Sequence, residues 1–250
     1  MHTIEIPMPG GGTAEAYVFR PEAESGGEHP GVLFCMDAFG LRPRIEEMAQ
    51  RIANWGYVVL TPNVFHRAGR IEDLMPRVDL TEPGRREEYI AEAMSRVRAL
   101  TADQAEQDLP AYLLALKGLP GVVRGSVGTT GYCMGARLAV RAANLDPEVA
   151  AVGGFHGGGL ATDADDSPHR GLGNARAEFV FGHADQDRSM PAEAIVMLGE
   201  ALRDAGLTAS NEVYDGAAHG YSMADTSAYD EAATERHFEE LRALLDRTLG

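Results

Sequence analysis

The chain has 250 residues, of which 38 are acidic and 22 basic, giving a formal net charge of −16. Hydrophobic residues make up 44% and charged residues 24%, enough for a sizeable core, which excludes global disorder. The negative field repels polyanions, so nucleic acid and anionic membrane surfaces are excluded as nonspecific partners. Two cysteines, Cys35 and Cys133, make neither a disulfide framework nor a four-ligand zinc site. The N-terminus, MHTIEIPMPGGG, has no basic segment leading into an apolar one. No apolar run approaches the roughly 20 residues needed to cross a bilayer. The expectation is a reduced, cytoplasmic protein.

The predicted elements alternate. His2–Ile6 and Ala14–Phe19 read as two strands joined in a hairpin by the turn Pro9–Gly12. Gly31–Met36 is a continuous apolar run, as expected of a strand buried on both faces. Pro43–Trp55 has helical spacing, with Ile45, Met48, Ala49 and Ile52 on one stripe. Tyr57–Thr61 is a second buried strand ended by Pro62. Arg85–Leu100 and Thr101–Leu116 read as helices, and Asp103 to Asp108 reads as an acidic, solvated face. A strand within Val122–Tyr132 runs into Gly131–Gly135, followed by a helix over Met134–Asn144. Val149–Phe155 and Ala177–Phe181 are strands, Pro191–Ala205 a helix, Ser210–Tyr214 a last strand and Tyr229–Leu249 a closing helix. Pro21–Pro30 and Gly157–Gly173 read as surface loops, and no repeat or linker divides the chain. This alternation predicts one α/β domain over residues 1–250. Its central sheet is mostly parallel, with an N-terminal antiparallel hairpin and helices on both faces.

The sharpest local feature is Gly131-Tyr132-Cys133-Met134-Gly135, between a predicted strand and a predicted helix. A nucleophile on so sharp a turn needs small neighbours, and the helix N-terminus behind it favours negative charge on the sulfur. Two loops follow the later strands. One is Gly182–Pro191, with Asp185 and Asp187; the other is Gly216–Gly220, with His219. The order nucleophile, acid, histidine is that of an α/β-hydrolase. All three segments fall beyond the carboxyl ends of strands, where parallel sheets place their sites. Cys133 would attack a carbonyl carbon, His219 would shuttle the proton and an aspartate would orient the imidazole. His66, His156, His169 and His183 are weaker candidates, and His237 reads as a helix-surface residue. Cys35, inside a buried strand, reads as inert.

With these segments the chain resembles the dienelactone hydrolase family of α/β-hydrolases. The resemblance rests on Val32–Gly40 (VLFCMDAFG), Trp55–Pro62 (WGYVVLTP), Val127–Ala139 (VGTTGYCMGARLA), Asp187–Pro191 and Ala217–Tyr221 (AAHGY). It implies hydrolysis of lactones or small carboxylic esters, of the carboxymethylenebutenolidase type, through a Cys133 thioester and without a cofactor. It makes His219 the triad histidine and selects Asp187 over Asp185, because the family has proline four residues after its aspartate, as Pro191 stands here. Asp37 matches a family glutamate that contacts the resting thiol, one methylene shorter. The oxyanion hole would be the backbone N–H groups of Ala38 and Met134.

Substrate contacts are expected at Phe39, Arg85, Arg86 and Tyr221. The family's arginine shortly after the histidine has no counterpart in His219–Met223 (HGYSM). A carboxylate clamp would then come from Arg85, Arg86, Arg42, Arg67 or Arg188, and most of these read as solvated charges. Phe65, Phe155 and Tyr89 would join Phe39 and Tyr221 in an apolar pocket. The alternative is a carboxylesterase or thioesterase with neutral, apolar substrates. An oxidant-sensing Cys133 is disfavoured by the intact His219, and a dinucleotide site by the absence of G-x-G-x-x-G. The expected partner is a small ester or lactone, and the expected state a monomer or homodimer.

Overall fold

A computed structural model describes residues 1–22 and 27–250; part of the loop expected over Pro21–Pro30 lies outside the described residues. The N-terminal hairpin is β1 (His2–Pro7) and β2 (Thr13–Phe19), paired antiparallel. Then come β3 (Gly31–Cys35), α1 (Pro43–Ala53), β4 (Val58–Pro62), the short α2 (Ile71–Leu74), α3 (Arg85–Ala99) and α4 (Ala102–Lys117). The second half holds β5 (Val127–Tyr132), α5 (Met134–Leu145), β6 (Val149–Phe155), β7 (Glu178–Ala184), α6 (Ala192–Asp204), β8 (Ala209–Tyr214) and α7 (Glu231–Leu249). A 3-10 turn over Pro168–Asn174 interrupts the loop after β6.

The described strands form one sheet in the order β1-β2-β4-β3-β5-β6-β7-β8. It is antiparallel from β1 through β4 and parallel from there to β8. Its central strands are apolar runs because helices cover both faces. A Cβ on Gly31 would meet Leu116 of α4, whereas one on Gly128, beside Val32, would meet Leu245 of α7. Successive side chains point to opposite faces, so α4 and α7 lie on opposite sides. In the same way Gly154 faces Ala136 of α5, and Gly153 faces Leu241 of α7.

Phe238, Leu241, Leu244 and Leu245 seat α7, each side chain stabilising by roughly 1.5–3 kcal/mol when fully buried. His237 shares that stripe and is fully buried, which corrects its expected place on the surface. Burial pushes its pKa down to about 3, and Tyr132 Oη lies 3.2 Å from its Nε2. Asp108 is likewise not solvated. It is 2% exposed and takes a two-pronged ion pair from Arg67 at 2.5 and 2.9 Å. Strand β7 runs to Ala184, three residues past the expected end, which buries His183. Among the described residues, no helix is long and apolar enough to cross a membrane.

Candidate active site

Strands β3, β5, β6, β7 and β8 each end at one cleft of about 940 Å³. It is lined by Asp37, Ala38 and Phe39 after β3, Cys133 after β5, His156 after β6, Asp187 and Ser189 after β7, and His219 after β8. Ile90, Met94 and Val97 of α3 form a facing apolar wall.

Cys133 sits between β5 and α5 with φ 55° and ψ −119°, a conformation that costs a non-glycine residue energy. Its flanking glycines make the turn possible. A Cβ on Gly131 would stand 2.1 Å from the Gly135 carbonyl oxygen. A Cβ on Gly135 would stand 2.2 Å from the Cys35 carbonyl oxygen, so only glycine lets α5 start against the end of β3. That close approach brings the 37–39 loop beside Cys133. The N–H groups of Ala38 and Met134 have no acceptor among the described residues, leaving both free to receive an oxyanion.

His219 Nδ1 lies 2.6 Å from Asp187 Oδ2. The other Asp187 oxygen accepts from the Ser189 N–H at 2.8 Å and the Ser189 hydroxyl at 2.7 Å. Asp185 is turned elsewhere and accepts the Gly216 N–H at 3.0 Å. Burial lowers the His219 pKa, but the charge and hydrogen bond of Cys133 and the hydrogen bond and charge of Asp187 outweigh it, raising it to about 10. Burial likewise raises the Asp187 pKa, and the His219 and Ser189 contacts overcome that and hold it below its ordinary value.

Asp37 lines the cleft, but its carboxylate faces Arg42 rather than the sulfur. Arg42 Nη1 and Nη2 donate to its two oxygens at 2.7 and 3.0 Å, and the Phe39 N–H donates at 3.0 Å. Arg42 also pairs with Asp225 at 2.5 and 3.2 Å and is 2% exposed, so it is not the solvated charge expected. Burial opposes its charge, and the two carboxylates more than restore it.

The expected substrate residues divide. Phe39 lines the cleft with Tyr89 edge-on behind it, ring centroids 5.3 Å apart. Arg86 lines it and donates to the His219 carbonyl oxygen at 2.7 Å. Arg85, by contrast, points to solvent between Glu82 and Glu88. Tyr221 is fully buried and donates to the Gly182 carbonyl oxygen at 3.0 Å. Neither belongs to the cleft: a step of about 100° round α3 separates the faces of the consecutive Arg85 and Arg86, and the Gly220 bend at φ 96° sends Tyr221 into the core. Phe155 is core and Phe65 lies away from the cleft, as does Arg67, while Arg188 stands at the rim.

Three cleft residues escaped the sequence reading in whole or part. Ser189 completes the Asp187 turn, two residues on in the same loop. His156, at φ 37°, stacks edge-on against His219 at 5.4 Å, with Nε2 2.8 Å from Ser222 Oγ. Burial, then the like charge of His219, keeps it neutral. Arg137 lines the cleft four residues after Cys133, the spacing of one helix face.

The sequence matches the Dienelactone hydrolase family over residues 14–249. A protein of Methylorubrum extorquens, described as a candidate carboxymethylenebutenolidase, is 27% identical over 221 residues, 87% of this chain and 71% of its own. One of Synechocystis sp., with the same description, is 25% identical over 247 residues, 93% of this chain and 91% of its own. The crystal structure of a candidate dienelactone hydrolase from Klebsiella pneumoniae has a TM-score of 0.82 at 22% identity, over 98% of both chains. The chain belongs to the dienelactone hydrolase family.

Proposed function

We propose that the protein hydrolyses lactones or small carboxylic esters through a covalent thioester on Cys133. The observation that carries this reading is the series Asp187–His219–Cys133, assembled on a strained turn whose neighbouring N–H groups lack acceptors among the described residues. The Cys133 sulfur attacks the carbonyl carbon, and the carbonyl oxygen becomes an oxyanion held by the Ala38 and Met134 N–H groups. The tetrahedral species collapses, the C–O bond breaks and His219 Nε2–H protonates the leaving oxygen.

The charge of Cys133 is the largest influence raising the His219 pKa. Acylation removes that charge, and His219 becomes a neutral base. It then takes a proton from water, which attacks the thioester and releases the acid and the Cys133 thiolate. Asp187 holds the ring in the tautomer that keeps Nε2 toward the sulfur. The cycle calls on no metal or organic cofactor.

A second reading, a carboxylesterase or thioesterase of neutral substrates, is favoured by the Ile90–Met94–Val97 wall. Met223 lines the cleft within the stretch after His219 in which the resemblance would put an arginine, and Arg42 is already paired. The test is the initial rate of dienelactone ring opening beside that of 4-nitrophenyl acetate, with Cys133→Ala as the blank. Turnover of dienelactone that Cys133→Ala abolishes supports the first reading. Turnover of the neutral ester alone supports the second. Turnover surviving in Cys133→Ala refutes both.

A further inference from the structure

The active-site cleft does not end at the nucleophile. A second cavity of about 480 Å³ adjoins it, and the two share Met94, Val97, Met134, Arg137 and Gly159 as common wall. Arg137 stands at this junction. Among the described residues it makes no hydrogen bond or ion pair, although it is half-buried. Its charged surroundings are Cys133, Arg141 and Asp166, and burial lowers its pKa. The neighbouring Arg141 is already satisfied by Glu106 and the Asp166 carbonyl oxygen. A half-buried arginine that lines both cavities and whose guanidinium has no protein partner among the described residues can exchange its solvent for an anionic ligand.

The direction of the ligand follows from the general acid. His219 must stand beside the leaving oxygen, so the acyl part extends away from it. Arg86, bonded to the His219 carbonyl oxygen, stands on the leaving-group side. The second cavity is lined by neither His219 nor Asp187, and its wall continues through Leu100, Ala105 and Leu138. With a net charge of −16 the chain as a whole does not attract anions, so recognition of one depends on a local cation, and at the junction of the two cavities that cation is Arg137.

We propose that Arg137 is a specificity-determining residue: it binds a carboxylate at the far end of the substrate's acyl chain, with the intervening carbons laid along Met94, Val97 and Met134. The preferred substrate class is then the half-ester of a dicarboxylic acid with several carbons between its two carboxyl groups. This rests on the hydrolase reading above and names its acyl subsite.

The test compares mono(4-nitrophenyl) esters of succinate, adipate and suberate with neutral 4-nitrophenyl butanoate, hexanoate and octanoate. The wild type is expected to favour the anionic ester at one chain length. Arg137→Gln should lower the anionic-to-neutral ratio of kcat/KM roughly 10- to 100-fold, the worth of a charged hydrogen bond. Arg137→Lys should keep part of the preference, which guards against a folding defect in the glutamine variant. An unchanged ratio, whether both rates fall together or neither does, overturns the proposal; a joint fall would mean that Arg137 acts on the sulfur. Calorimetric binding of adipate monoamide, which is inert to the thiol, reads the subsite without turnover. Binding that weakens in Arg137→Gln supports the subsite even if neither ester is hydrolysed, an outcome that would refute the hydrolase reading alone. Binding that is absent or indifferent to Arg137 overturns the subsite.

Discussion

The loops after β3 and β7 are built alike and used differently. In each, one aspartate oxygen accepts the N–H two residues on: Phe39 for Asp37, Ser189 for Asp187. In the β7 loop the second oxygen reaches His219. In the β3 loop both oxygens are taken by Arg42, itself pinned by Asp225 from the far side of the chain. One carboxylate is aimed at a proton-carrying group and the other at a permanent cation. Turn geometry positions both; the partner decides whether a carboxylate meets a titratable ring or a permanent cation.

Substitutions test this contrast. Asp187→Asn should cost about 10⁴-fold in kcat, as loss of the orienting carboxylate does in other triads. Asp185→Asn should cost less than about tenfold, because its hydrogen bonds from the Gly216 N–H and the Gln186 side chain lie outside the His219 pair. Equal losses would mean that the loop as a whole matters and not its aim at His219. Asp37→Asn should act chiefly on stability. Removing one partner of a buried pair costs about 3–5 kcal/mol, and Asp225 holds the loss near the lower end. For a chain of this size that is a Tm drop of roughly 6–12 °C in a calorimetric scan. A collapse of kcat with Tm intact would instead make Asp37 part of the chemistry.

Smaller effects sharpen the same contrast. Ser189→Ala removes a hydroxyl donor to Asp187 and should lower kcat roughly tenfold, with KM little changed. The two loops should also differ in pH dependence. The His219 pKa is raised above its unfolded value of about 6.5. Its stabilising contribution is therefore complete below that pH and lost as pH rises through about 10. Asp187 has a lowered pKa, so its contribution holds above its ordinary range and is lost as pH falls through the depressed one. The Tm difference between wild type and His219→Gln should shrink steadily from pH 6.5 to 10. The Asp37→Asn difference should not follow it, because a guanidinium keeps its charge across that range.

Much of this was legible in the sequence because the signals are local. The hairpin, the buried central strands and the Gly-x-Cys-x-Gly turn each declare themselves within about ten residues, and sterics then demand the glycines at 131 and 135. The Cys–Asp–His order was legible too, since it needs only the sequence of strand ends. Pairings between distant charges were not. Asp108 reads as solvated until Arg67 arrives from 41 residues away, and Arg42 until Asp225 arrives from 183 away. His237 carried a signal that its polarity hid, for it lies four residues before Leu241 on the buried stripe of α7. Arg137 likewise follows Cys133 by one helical repeat, but only the cavity beside it gives the position meaning.

The most direct test of the account is the mass of the protein quenched in acid within milliseconds of mixing with 4-nitrophenyl acetate. A Cys133 thioester predicts a gain of one acetyl group, found on the peptide that carries Cys133 and absent from Cys133→Ala. Ester turnover that persists in Cys133→Ala, or an acetyl group found on another residue, would contradict it.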